Sequence, residues 1–239
     1  MTSMDFPWLQ ELRQSMADAT WVAAAEHWPS PCRGAQPFYN YRLEHILQVE
    51  RDVTRIASTE RGDMEVLMAA VWVHDYYQPQ FGGLQHAQRA AEWAEDHLRG
   101  IGFPQHKVRN VCQAVLMHSH SGMDIPEGCH EARILWDADH VSRCGPVDVI
   151  NFLLCHSAEG FLRGLPENEE FPCGAITSVD MLPLLLERRP QMYRSDWYYF
   201  DETRRMARER IAATRGFLDC LEGQLYVTRE RVAARRWGT

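Results

Sequence analysis

No stretch of this chain stays apolar for the roughly 18 residues that a membrane helix needs. The N-terminus, MTSMDFPWLQELRQSM, carries acids and lacks the basic-then-apolar order of a signal peptide. C-x-x-C pairs are missing as well. The seven cysteines are scattered at Cys32, Cys112, Cys129, Cys144, Cys155, Cys173 and Cys220, an odd number. That disfavours a zinc ribbon or a disulfide framework and points to a reduced, cytoplasmic protein. Positive charge is not in excess. The formal net charge is -8, so the chain has no overall electrostatic footprint for a nucleic-acid polymer or an anionic membrane. Lys and Arg still total 25, most of them arginine, which leaves room for a local basic patch. No alternating apolar–polar run reads as a strand, and no internal repeat is visible.

What is present is helical periodicity in a chain of 239 residues with 45% hydrophobic content, enough for one compact domain with a real core. Leu9, Leu12, Met16, Ala19 and Ala23 stripe a first helix over about 6–27, and WPSPCRGAQPF breaks it with three prolines and a glycine. Leu43, Ile46, Val49, Val53 and Ile56 stripe a second helix, about 39–58. Asp63 is a plausible N-cap for a third that runs through Val73. QPQFGG breaks the chain again. A fourth helix is expected over about 84–98, stopping at Gly100. Pro104 should open a fifth that reaches about Met117. Further helices are expected at about 131–143, 147–162, 179–187 and 200–231, with a long loop, RGLPENEEFPCGAITS, between the second and third of these. The fold class is therefore all-α, a single-domain helical bundle.

The ionisable residues are not scattered at random over these helices. His45 flanks the apolar stripe of the second. His74 and Asp75 close the apolar third, His86 opens the fourth and His118 ends the fifth. Asp137 and Asp139 interrupt the otherwise apolar EARILWDADHV. A lone charge in such surroundings costs several kcal/mol in practice. Several such groups on separate helices converge most cheaply on a cation. Imidazole with carboxylate suits first-row ions. Such an ion lowers the pKa of bound water and polarises a phosphoryl oxygen. Helical bundles commonly build metal sites from inward-pointing residues on facing helices.

The order His45 … His74-Asp75 … Asp139 resembles the HD-domain superfamily of metal-dependent phosphohydrolases, and the likeness is wider than the doublet. LEHILQVERDVTRIA is similar to that family's first-histidine helix, and LMAAVWVHDYY to its apolar helix ending in His-Asp. VCQAVLMHSHSGMDIPEGCHEARILWDADHVSRCG resembles its His-Ser segment and the Asp-Ala-Asp helix that follows. YYFDETRRMARERIAATRGFLDCLEGQL is similar to the closing helix of a subgroup of small bacterial HD hydrolases.

The resemblance covers about 39–225 and implies an HD-type bundle with its core at 39–162. Residues 1–38 would form an N-terminal helix and loop, and 163–239 a C-terminal loop and helices packed on the core. It implies His45, His74, Asp75 and Asp139 as ligands of a first divalent transition metal ion (Mn, Co, Fe, Ni or Zn). His86 and His118 are the candidates for a second ion or for the surroundings of the first, with His120 as an alternate. Asp137 would support or cap. One ion is expected, with room for two.

The substrate implied is a phosphate ester or anhydride of a nucleotide or another small phosphorylated metabolite. Arg42, one turn before His45, and Arg89, one turn after His86, are candidate substrate contacts together with His120. A solvated helix face is the competing reading for both arginines. A homodimer is an open expectation. A di-iron oxygenase of the same fold, acting on a phosphonate or a polyol, is the alternative activity, and a nucleotide-sensing module without catalysis is a third reading. The sequence also departs from the family pattern. His140 follows the Asp-Ala-Asp triplet where arginine is common, and YYQP follows the doublet. There is no H-D-x-x-E-D, which disfavours guanosine-tetraphosphate hydrolysis.

Overall fold

The helix α3, Met64–Val73, runs VWV into the His-Asp doublet, and every residue from Val66 to Val73 is buried. Ten residues are too few to hold a helix alone in water, so tertiary burial of this apolar rod holds it together. Its start is fixed by Asp63, whose carboxylate accepts from the backbone N–H of Glu65 and Val66. This is the cap that the sequence suggests. Lys107 reaches back to both Asp63, at 2.7 Å, and Glu65, at 2.6 Å, and adds a cation to that cap.

The computed structural model describes residues 6–27, 37, 39–77, 84–120, 123–151 and 194–225. Around α3 stand α1 (Pro7–His27), α2 (Tyr41–Glu60), α4 (Leu84–Gly100), α5 (Val108–Met117) and α6 (His130–Ser142), followed later by α7 (Asp201–Leu225). The described residues form helices and no β-sheet, which makes the chain all-α. Backbone packing divides it into two compact units. One comprises Met1–Ser142 and Tyr198–Arg204, and the other Arg143–Trp197 and Arg205–Thr239. In the first unit α1 and α2 pack on α3, α4 packs on α5, and α6 closes against α2, α3 and α5. In the second, residues 146–151 are helical, and Gly145 at φ 116 opens that helix.

Helix ends differ from the expected ones where caps decide them. α2 begins at Tyr41 because Asn40 caps it, its side chain accepting from Leu43 N–H at 3.2 Å. Gly100 is the last residue of α4, and the left-handed residue just beyond it is Gly102, at φ 79. The Phe103 N–H then closes on the Leu98 carbonyl at 3.3 Å, with the Phe103 ring buried beneath. This is the left-handed glycine ending of a Schellman turn. Pro104 opens a 3-10 turn, Gln105–Lys107, and the α-helix starts only at Val108. α6 runs one residue earlier than expected at each end. The expected loops at 28–36 and 78–83, the helix at 179–187, the loop before it and the stretches 152–162 and 226–231 lie outside the described residues.

A polar knot ties the first three helices. Glu50 of α2 accepts from Trp72 Nε1 at 2.6 Å and from Arg13 Nη2 at 2.5 Å, while the Arg13 guanidinium lies 5.4 Å from the centre of the Trp72 ring. α2 ends on Arg61 at φ 59, and Gly62 follows. A methyl on Gly62 would meet Ile134 Cδ1 and Leu67 Cδ1 at 2.7 Å each, so this turn sits directly on the core.

Candidate metal centre

Six side chains from five helices meet beside the end of α3. His45 comes from the second turn of α2. His74 is the C-cap of α3 and Asp75 is the next residue. His86 lies in the first turn of α4, His118 is the C-cap of α5, and Asp139 lies in the last turns of α6. All six are buried, at 7% exposure or less.

They form two groups whose ligand atoms lie within 4.8 Å of one another. His45, His74 and Asp139 make one, and Asp75, His86 and His118 the other. In the first, His45 Nε2 is 3.0 Å from Asp139 Oδ1 and 3.4 Å from His74 Nε2. In the second, His86 Nε2 is 3.0 Å from His118 Nε2. Asp75 faces both groups. Its Oδ2 lies 3.6 Å from His45 Nε2 and 3.7 Å from His74 Nε2. Its Oδ1 lies 3.4 Å from His86 Nε2 and 3.6 Å from His118 Nε2.

The outer nitrogens decide what the inner ones offer. His74 Nδ1 is 2.8 Å from the Val71 carbonyl and His118 Nδ1 is 2.5 Å from the Val115 carbonyl, so each Nδ1 carries the proton and donates. Ser142 gives its hydroxyl hydrogen to the Asp139 carbonyl at 2.7 Å, so its oxygen is left to accept from His45 Nδ1 at 3.3 Å. Three rings fastened at Nδ1 therefore aim Nε2 into a site that also holds two carboxylates. Lone pairs facing each other at these distances repel. Asp75 Oδ1 is in addition buried without a hydrogen-bond partner among the described residues. Borderline nitrogen and oxygen donors with their outer nitrogens fastened fit a divalent first-row ion.

Electrostatics treat the rings differently. Burial, reinforced by the neighbouring His118 and His45, pushes His74 down to about 4 against the pull of Asp75 and Asp139, so its ring is neutral at pH 7. Burial alone would raise the Asp75 carboxyl, but His74, His118, His86 and His45 hold it well below the usual carboxylate range. Burial works against a charged His118, and the Asp75 carboxylate outweighs it, so His118 titrates above the ordinary histidine value.

The two aspartates of the D-A-D triplet point to different tasks, since residues two apart on a helix lie about 200° around it. Asp139 faces His45. Asp137 accepts from the backbone N–H of Tyr199 at 2.9 Å and of Phe200 at 3.1 Å. It thereby caps the entry to α7. Burial pushes its carboxyl up to about 7, against those donated hydrogen bonds.

The remaining candidates lie as follows. His120 is two residues beyond His118. Its Nδ1 is 3.2 Å from Asp124 Oδ1, and its carbonyl accepts from Trp136 Nε1. Arg42 is half-buried on the first turn of α2. Arg89 pairs with Glu92 at 3.2 Å, both side chains more than half exposed. His140 stacks on Trp136 at 4.0 Å and donates from Nδ1 to the Trp136 carbonyl at 2.7 Å.

Ser142 and Tyr41 escape a reading of the sequence. Ser142 orients His45 across 97 residues of chain, and the Tyr41 ring stacks on His45 with centroids 6.1 Å apart. The only local signal is spacing: Ser142 lies one helical turn after Asp139, and Tyr41 one turn before His45.

Residues 42–144, which span α2 to α6 and all six clustered side chains, match the HD-domain family model. The chain carries an HD domain. No curated protein gives a significant match. Solved structures do. A protein described as a predicted HD superfamily hydrolase, from an uncultured Thermotogales bacterium, superposes with a TM-score of 0.58 at 19% identity, over 92% of this chain and 94% of that one. An HD-superfamily hydrolase from Bacillus thuringiensis gives 0.57 at 14% identity, over 92% and 100%. Bacillus subtilis YpgQ, solved in complex with ADP, gives 0.55 at 14% identity, over 89% and 97%. At these identities the likeness is one of fold. The HD domain thus supplies the doublet its family is named for, at the C-terminal end of a helix buried from Val66 to Val73.

Proposed function

We propose that this protein is a metal-dependent phosphohydrolase acting on a phosphate ester or anhydride of a nucleotide or other small phosphorylated metabolite. The observation that carries the reading is the Asp75 carboxylate, which faces one His/Asp group with each oxygen inside an HD domain. His45, His74 and Asp139, with Asp75 Oδ2, would hold a first divalent ion (Mn, Co, Fe, Ni or Zn). His86 and His118, with Asp75 Oδ1, would hold a second. Bound there, such an ion supplies a water of lowered pKa and polarises a phosphoryl oxygen.

The chain's own residues do the rest. The fastened rings of His45, His74 and His118 hold their lone pairs in place, so little reorganisation is needed when substrate arrives. Arg42, one turn before His45, would pair with a phosphoryl oxygen through its planar fork. Arg89 would have to give up Glu92 to do the same. His120, whose Nδ1 lies beside Asp124, would offer Nε2 to the substrate. Support for a nucleotide comes from the ADP in the similarly folded YpgQ structure. In this reading residues 39–162 carry the chemistry, with 1–38 and 163–239 as accessory segments. The location would be the reducing cytoplasm, consistent with the free thiols of Cys112 and Cys129 and with no described helix being long and apolar enough to cross a membrane.

The test is phosphate or pyrophosphate release from a panel of nucleotides and sugar phosphates by metal-stripped protein given Mn²⁺ or Co²⁺. Turnover restored by metal and abolished by chelator is expected. No turnover of any compound with any ion would defeat the reading. The two-group geometry also suits a pair of irons, so an oxygenase acting on a phosphonate or polyol is the second reading. Two irons per chain in protein purified without added metal, with a mixed-valent electron paramagnetic resonance signal, would favour it.

A further inference from the structure

The two groups are not fastened alike. In the first, both imidazoles are tied from behind: His45 Nδ1 to the Ser142 hydroxyl and His74 Nδ1 to the Val71 carbonyl. In the second, His118 is tied to the Val115 carbonyl, but His86 has no such tie from behind among the described residues. Its Nδ1 is buried and has no hydrogen-bond partner among the described residues. A ring with no partner on its outer nitrogen is neither fixed in tautomer nor held in rotation, and loss of such a partner typically weakens a metal site by about 10- to 100-fold.

Charge points the same way. The first position is flanked by two carboxylates, Asp139 Oδ1 and Asp75 Oδ2. Among the described residues the second has only Asp75 Oδ1, from a carboxylate already shared. The stronger field and the stiffer cage both lie on the His45–His74–Asp139 side.

We infer that the two ion positions have unequal affinity, the Asp75–His86–His118 position binding a divalent ion about 10- to 100-fold more weakly than the His45–His74–Asp139 position. The protein then passes between a one-ion and a two-ion form as free divalent ion rises and falls, with His86 as the ligand that engages last and releases first. This rests on the metal-dependent reading but makes a separate claim, about the order of filling.

The experiment is a titration of the full, metal-stripped chain with Mn²⁺, followed by calorimetry and electron paramagnetic resonance. Two steps separated by at least about tenfold are expected. The signal should pass from an isolated ion at one equivalent to an exchange-coupled pair at two. Dialysis against metal-free buffer should leave one ion per chain. His86→Ala should lose the weaker step and keep the tighter one, with circular dichroism and a thermal melt confirming the fold. Should that variant unfold, the wild-type titration and the ion count after dialysis decide alone. Two equal steps, a single ion at saturation, or loss of the tight step in His86→Ala would overturn the inference. Turnover together with two equal steps would sink this inference and leave the phosphohydrolase reading intact. Two unequal steps with no turnover would do the reverse.

Discussion

Nε2 of His45 lies 3.0 Å from Oδ1 of Asp139, each side chain almost fully buried. The two residues come from helices that pack along one another, α2 and α6, and Ser142 of α6 fastens the far side of the same histidine. One helix pair thus supplies a nitrogen donor, an oxygen donor and the group that orients the first towards the second.

Removing that fastening should weaken ion binding without unfolding the chain. Ser142→Ala leaves His45 Nδ1 without its acceptor. The expected result is an affinity for the first Mn²⁺ lowered by about tenfold, at the mild end of the range for such outer contacts. Calorimetric titration measures it. An unchanged affinity would show that His45 is held by packing alone.

Asp75 makes a sharper case because it faces both groups. Asp75→Ala should remove both Mn²⁺ binding steps and metal-dependent turnover, whereas Asp139→Ala should remove the tighter step alone. Metal content after gel filtration, with turnover assayed in parallel, separates the two variants. Full metal retention in Asp75→Ala would count heavily against a shared carboxylate.

Much of this was legible in the sequence, for reasons that are local. The apolar run ending in His74-Asp75, the periodic stripe of α2 and the Asp63 cap are written in residues within one or two turns of each other. The Gly102 ending and the 3-10 turn after Pro104 were not, because glycine and proline mark a break without fixing its geometry. Long-range partners were the least legible. Asp137 meets the backbone of Tyr199 from 62 residues away, and nothing in the triplet alone says which aspartate turns inward. The loose end on His86 is likewise a property of the folded surroundings, since a sequence displays a donor but not the lack of its partner.

Two carboxyls should give the metal-free protein pH dependences of opposite sign. Asp63 has its pKa lowered from 3.8: burial opposes this, and Lys107 with the N–H groups of α3 prevails. Its contribution to stability is therefore present above the unfolded value and is lost as pH falls through the folded one. Asp137 is raised from 3.8 to about 7. Its contribution is fully present below the unfolded value and is lost as pH rises through about 7. Urea unfolding of Asp63→Asn and Asp137→Asn against the wild type, from acid to neutral pH, should show the first difference growing with pH and the second shrinking. Two differences running in the same direction would contradict the assignment.

The turn at Gly62 tests the packing of the domain itself. Gly62→Ala pushes a methyl group against Ile134 and Leu67, and should destabilise the fold by about 1–3 kcal/mol. Chemical denaturation measures it. A neutral result would mean that both side chains swing aside freely.

The central claim is that the buried histidines and aspartates hold ions. The most direct measurement is an anomalous difference map from crystals of the Mn²⁺-loaded protein. The account predicts a peak roughly 2.0–2.3 Å from Nε2 of His45, Nε2 of His74 and the nearest oxygens of Asp75 and Asp139. A weaker second peak should lie between Asp75 Oδ1, His86 and His118. A map with no peak among these residues, from protein shown to be folded and metal-loaded in solution, would contradict it.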